Sequence, residues 1–108
     1  MDVTGLIAAG LPQTVDELHA DGPHEVSMLW LLARSYSRLR HKTAARTTRK
    51  RLDALKAHCL RLALAREPDL FLVFVDPGMP RLQLVYHRVE RNLLHVPVTT
   101  DLRPFPRP

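Results

Sequence analysis

Glu67-Pro68-Asp69-Leu70-Phe71-Leu72-Val73-Phe74-Val75-Asp76-Pro77-Gly78 is the stretch at which the chain changes its hydrophobic period. Leu70 to Val75 is an unbroken apolar run, rich in β-branched and aromatic residues and too short for a helix. Such a run reads as a strand, here over residues 69–75, covered on both faces. Asp76-Pro77-Gly78-Met79 follows as a β-turn, with Pro fixing φ at the second position and Gly supplying a positive φ at the third. Residues 81–89 alternate as a second strand. Asn92 suits the left-handed conformation of a tight turn, and residues 93–99 form a third strand. Pro97 has no N–H for a ladder, which places that strand at an edge.

Upstream of the switch, residues 24–67 contain no Gly and no Pro. That length exceeds an average globular helix, so two helices with a break are expected. The first spans about 23–41, with Pro23 at its opening position after Gly22. Met28, Leu29, Leu32, Ala33, Tyr36 and Leu39 recur at helical spacing and make its buried face. Trp30, flanked by leucines, reads as core. No large apolar residue occurs between Arg40 and Arg51, where Thr43, Thr47 and Thr48 are candidate caps. The second helix spans about 48–66, with an apolar stripe of Leu52, Leu55, Cys59, Leu62 and Ala63 widened by Leu60. Before both, Thr14-Val15-Asp16-Glu17 is a capping-box pattern that opens a short helix.

The order helix, helix, strand, strand, strand gives an α+β domain. A short acidic helical segment (1–22) precedes a core (23–99) of two long antiparallel helices packed on one face of a three-stranded antiparallel sheet. A Pro/Arg-rich extended tail (100–108) follows. The 108 residues fit one domain, and 45% hydrophobic with 25% charged residues is a globular composition. No apolar run approaches the roughly 20 residues that span a bilayer, and the N-terminus lacks the basic start of a secretory signal. A cytoplasmic protein with no membrane partner is expected. The one cysteine, Cys59, excludes an intramolecular disulfide.

Charge is distributed unevenly. Residues 34–66 hold eleven Lys and Arg against one acid, Asp53. Residues 1–33 carry five acids and no Lys or Arg, and residues 67–108 balance five acids with five arginines. A concentrated basic segment attracts polyanions. In a helical hairpin Arg34, Arg38, Arg40, His41, Lys42, Arg46, Thr47, Arg49, Lys50 and Arg51 gather toward one tip, with the Thr47 hydroxyl adding a contact to those of the cations. Like charges at that density repel, and cations at a helix start oppose its dipole. The expected function is a small nucleic-acid-binding accessory protein that contacts DNA or RNA phosphate through this tip. Lys56, Arg61 and Arg66 read as ordinary surface charges.

Two other readings follow from the same residues. The acidic first 25 residues can answer the basic segment within the chain or in a second copy. Wide apolar faces and an exposed edge at 93–99 also suit an interaction protein: a homodimer, a module for an acidic protein partner, or a competitor in a nucleic-acid channel.

No catalytic residue, cofactor or metal is expected. There is no Cys-x-x-Cys, no His-x-x-x-His and no phosphate-cradling Gly-rich loop. His58 and Cys59 diverge by about 100° on a helix, and Cys59 on an apolar stripe is a poor nucleophile. His87 and His95 lie directly opposite on paired strands if the turn is Glu90-Arg91-Asn92, and on opposite faces if it is Arg91-Asn92. Two helices followed by an antiparallel sheet, with Tyr86-His87-Arg88 on a strand, resemble RelE/ParE-type toxins over about residues 25–99. The resemblance lies in element order alone. The family's first strand is missing here, and the acidic 1–22 segment departs from it. It implies a metal-independent ribonuclease with Tyr86, His87, Arg88 and His95 as the residues of interest.

Overall fold

A computed structural model describes residues 10–20 and 24–103. The expectations for Gly22, Pro23 and the tail beyond Arg103 lie outside these residues. Helix α1 (Val15–Ala20), helix α2 (Val26–His41) and helix α3 (Arg46–Arg66) precede a 3-10 turn (Pro68–Leu70) and strands β1 (Phe71–Val75), β2 (Leu82–His87) and β3 (Asn92–Pro97). The sheet is antiparallel in the order β1-β2-β3, with the helices against one face. The architecture is the expected α+β one.

α1 opens with a variant of the capping box in which the carboxylate reaches one residue before the cap. Thr14 Oγ1 accepts the Glu17 N–H at 3.1 Å, and the Glu17 carboxylate accepts the Gln13 N–H at 2.7 Å. Leu18 plugs the core, and the Tyr36 hydroxyl donates to the Pro12 carbonyl at 2.8 Å, fastening the segment across α2. α2 buries Val26, Leu29, Trp30, Leu32, Ala33 and Tyr36 against Leu52, Leu55, Cys59, Leu60, Ala63 and Leu64 of α3. Met28, expected on the buried face, is exposed, and Trp30 takes that place. Leu60 is fully buried and Leu62 only partly.

The strand register assigns the two faces. Phe71, Val85, His87, Leu94 and Val96 point toward the helices and are buried. Leu72, Phe74, Leu82, Leu84, Tyr86, Leu93 and His95 point the other way, because side chains alternate along a strand. Trp30 joins the layers. Its indole lies 5.6 Å from the Phe71 ring and 5.2 Å from the His87 ring, and its Nε1 donates to Asn92 Oδ1 at 2.9 Å.

Several local expectations are corrected. The apolar run is not covered on both faces: Phe71 is buried, whereas Leu72, Val73, Phe74 and Val75 are exposed. Two helices cover the sheet only as far as Phe71 on this edge strand. The first turn forms, with Met79 N–H donating to the Asp76 carbonyl at 2.9 Å, but Gly78 is not left-handed. Its N–H instead donates to Asp76 Oδ1 at 2.8 Å, so the aspartate side chain shapes the turn. In the second turn Arg91, at φ 57°, takes the left-handed conformation expected of Asn92. Asn92 already pairs with His87 in the ladder, so four residues bridge the strands and His87 and His95 fall on opposite faces.

Lys56 is the largest departure from a surface reading. It is 6% exposed, and its Nζ donates to the His95 carbonyl at 2.5 Å and the Ser37 hydroxyl at 3.2 Å. Burial lowers its pKa, partly offset by Asp53 and reinforced by Arg40. One ammonium thus ties α3 to α2 and to β3. Lys56→Ala should cost about 2 kcal/mol in chemical denaturation, since it strips two part-buried acceptors of their donor and removes a packed stem. Lys56→Met, which keeps the stem, should cost less; equal losses would mean the stem contributes nothing.

Candidate nucleic-acid interface

The tip is built by how α2 stops and α3 starts. Lys42 and Thr43 donate their N–H groups to the Leu39 and Arg40 carbonyls, and the Thr43 hydroxyl donates to the Leu39 carbonyl at 2.8 Å. Thr43 is therefore buried in the C-terminal closure of α2 and is not a cap of α3. Thr48 is also buried, inside α3. The N-cap is Ala45, which makes no side-chain cap bond. The amides of Arg46, Thr47 and Thr48 precede the first intrahelical bond, from Arg49 N–H to the Ala45 carbonyl. α3 has no acid in its first turn, and α2 has Arg38, Arg40 and His41 in its last. The helix start is a partial positive charge surrounded by full ones.

The structure sorts the candidate residues. Arg38, His41, Lys42, Arg46, Thr47, Lys50 and Arg51 are exposed around the tip. Arg38 and Lys42, one turn apart, line a cleft of about 210 Å³ with Leu11, Ser35 and Leu39. Arg49 is half-buried on the first turn of α3. Arg34 is half-buried two turns back and lines a separate cleft with Trp30, Leu31 and Glu90. Arg40 faces across the hairpin and pairs with Asp53, Nε to Oδ1 at 2.6 Å. It aligns the two helices beneath the exposed cations. Among the described residues, no ion pair joins Asp16, Glu17 or Glu25 to this tip.

The residues implied by the toxin resemblance do not share a surface. His87 is buried between Trp30 and Phe71, and its Nδ1 accepts the Val89 and Glu90 N–H groups at 3.2 Å. Tyr86 and His95 lie on the other face, and Arg88 is exposed beyond the strand. Burial pushes the Cys59 thiol up to about 12, away from thiolate chemistry. Among the described residues no three His, Cys, Asp or Glu are placed to hold a metal, and no helix is long and apolar enough to cross a membrane. Comparison with protein-family models, curated proteins and solved structures returns no match.

Two features were missed from the sequence. Lys56 sits within the apolar stripe, four residues from both Leu52 and Leu60, and that spacing was a readable sign of burial. The contact of His19 with His58 spans 39 positions and had no local signal: the rings meet edge to face, Nε2 to Nε2 at 2.8 Å. One nitrogen must donate and the other accept. Burial, His19 and Arg61 all lower the His58 pKa. The unfolded chain therefore takes up this proton more readily than the folded one. The associated stability is present above the ordinary histidine value near 6.5 and is lost as pH falls through the lowered one. Thermal melts from pH 7.5 to 5 should show a steeper loss in the native protein than in His58→Gln. Parallel curves would remove His58 as the titrating group.

Proposed function

We propose that the protein binds nucleic acid through the phosphate backbone at the tip formed by the end of α2 and the start of α3. The observation that carries this reading is the exposed set Arg38, Lys42, Arg46, Lys50 and Arg51 around a helix start without a side-chain cap. Guanidinium and ammonium groups, a free threonine hydroxyl and outward backbone amides all donate to phosphate oxygens. None of them reads a base edge in that arrangement, so the binding is salt-dependent and weakly selective for sequence.

Binding of labelled DNA and RNA oligonucleotides, titrated over a salt series, tests the reading. Affinity should fall linearly on logarithmic axes. Each of Arg46→Ala, Lys50→Ala and Arg51→Ala should reduce the slope by about one unit on duplex DNA. Arg66→Ala, an exposed cation at the far end of α3, should leave it unchanged. Affinity that is flat in salt, or unaltered when all three tip residues are replaced in a folded protein, would rule the proposal out.

A further inference from the structure

We propose that the protein self-associates through β1, two copies pairing this strand antiparallel about a two-fold axis at Val73, so that two three-stranded sheets join into one of six strands. Among the described residues β1 is an edge strand. Leu72 and Phe74, on its outer side, are 44% and 45% exposed, and Val73 and Val75, on its helix-facing side, are 45% and 48% exposed. Equal exposure of both sides discriminates between modes of contact. Packing of one outer sheet face on another shelters Leu72 and Phe74 alone. A strand added at the edge shelters both sets, because each side chain gains a cross-strand neighbour on its own side. On the helix side Val73 also lines an open, largely apolar groove of about 430 Å³ with Leu64, Val98 and Leu102, beside that edge.

Hydrogen-bond parity permits this pairing. Val98 N–H donates to the Arg81 carbonyl, one step beyond the pair Leu82 and Pro97, so the odd residues of β2 bond β3. Its even residues then bond β1, as the Arg88 N–H does to the Leu70 carbonyl. With Phe74 opposite Leu84 and Leu72 opposite Tyr86, the groups of β1 that face the open edge are those of Phe71, Val73 and Val75. The Phe71 N–H turns back to the Pro68 carbonyl. A two-fold at Val73 therefore exchanges both bonds between the Val73 residues and brings the Val75 N–H of each copy to the Phe71 carbonyl of the other.

The sequence is self-complementary in that register. Phe71 faces Val75, Leu72 faces Phe74 and Val73 faces itself, while Asp76 at the end of the ladder faces Leu70 and meets no acid. The other edge of the sheet is blocked. On β3 the residues that face outward are Leu93, His95 and Pro97 by the same parity. Lys56 occupies the His95 carbonyl, and Pro97 has no N–H. β1 has no charge, no proline and no bulge, the usual defences of an edge. The open edge is thus at Phe71–Val75, not at the 93–99 segment singled out from the sequence. A contact of one strand pair lies at the small end of interfaces, so a dissociation constant on the order of micromolar is expected.

Analytical ultracentrifugation of the full chain across that concentration range, after removal of nucleic acid, should show a shift from one chain's mass to two. Val73→Lys places like charges on the axis and should weaken association by about tenfold or more. Val73→Pro removes only an outward N–H and should also hold the protein monomeric with its circular dichroism intact. Val73→Cys should form a disulfide-linked dimer on mild oxidation, and Leu93→Cys, on the outer face of β3, should not. A native protein that stays monomeric throughout would overturn the proposal. So would a dimer that survives Val73→Lys, or one that is linked through Leu93→Cys.

Discussion

The Trp30 indole is the point at which the helix layer meets all three strands. Its ring packs against Phe71 of β1 and His87 of β2, and its N–H is held by Asn92 of β3. A buried indole N–H without an acceptor is costly, so Asn92 must stand where it does. That requirement propagates. Asn92 pairs with His87, which sets the β2–β3 register and forces four residues into the turn. The left-handed Arg91 and the His87 nitrogen that accepts two turn amides are consequences of closing the loop at that length. Lys56 provides the second tie between layers, at His95, three residues further along β3. Between them the sheet cannot slide by one residue without losing both a tryptophan donor and a lysine acceptor.

Much of this was legible because it rests on period and punctuation. The break between the helices, the direction of packing and the first turn all follow from apolar spacing and from Asp76-Pro77-Gly78. Structure and sequence pattern part where local chemistry has more than one solution. Three threonines near the break looked like caps, but Thr43 and Thr48 face inward and Ala45 holds the cap position. Gly78 permits a positive φ without requiring it, and the Asp76 carboxylate made the alternative turn favourable. For Lys56, position in the apolar stripe outweighs charge in deciding burial. The apolar run in β1 is exposed from Leu72 to Val75 because composition reports what a segment needs, not whether the described residues supply it.

The basic tip rests on a neutral foundation. Arg40 and Asp53 cancel across the hairpin, and Thr43 closes the end of α2 with its own hydroxyl. Both devices hold the exposed cations in place without quenching them. Of the ten candidate residues, seven are exposed around the tip, and Arg40, whose charge Asp53 answers, fixes the helix pair. The charge count in the sequence could not separate these roles, because the separation depends on which side of each helix faces its neighbour.

Two surfaces of the molecule carry a penalty that the chain does not relieve among its described residues. At the tip it is electrostatic: like charges crowd against the positive end of a helix. At β1 it is an apolar strand with outward amides and carbonyls facing water. These penalties have different physical origins and respond to different conditions. Repulsion at the tip is screened as salt rises, and so is its attraction for phosphate. Apolar burial and backbone pairing at β1 are not screened in this way, and salts excluded from the surface favour burial. Raising ionic strength should therefore separate the two interactions, releasing a polyanion while leaving a strand-paired dimer intact. The two surfaces also lie on different layers of the fold. The hairpin tip belongs to the helix layer, the open edge to the sheet, and the Trp30 and Lys56 ties hold the layers together without lying in either surface.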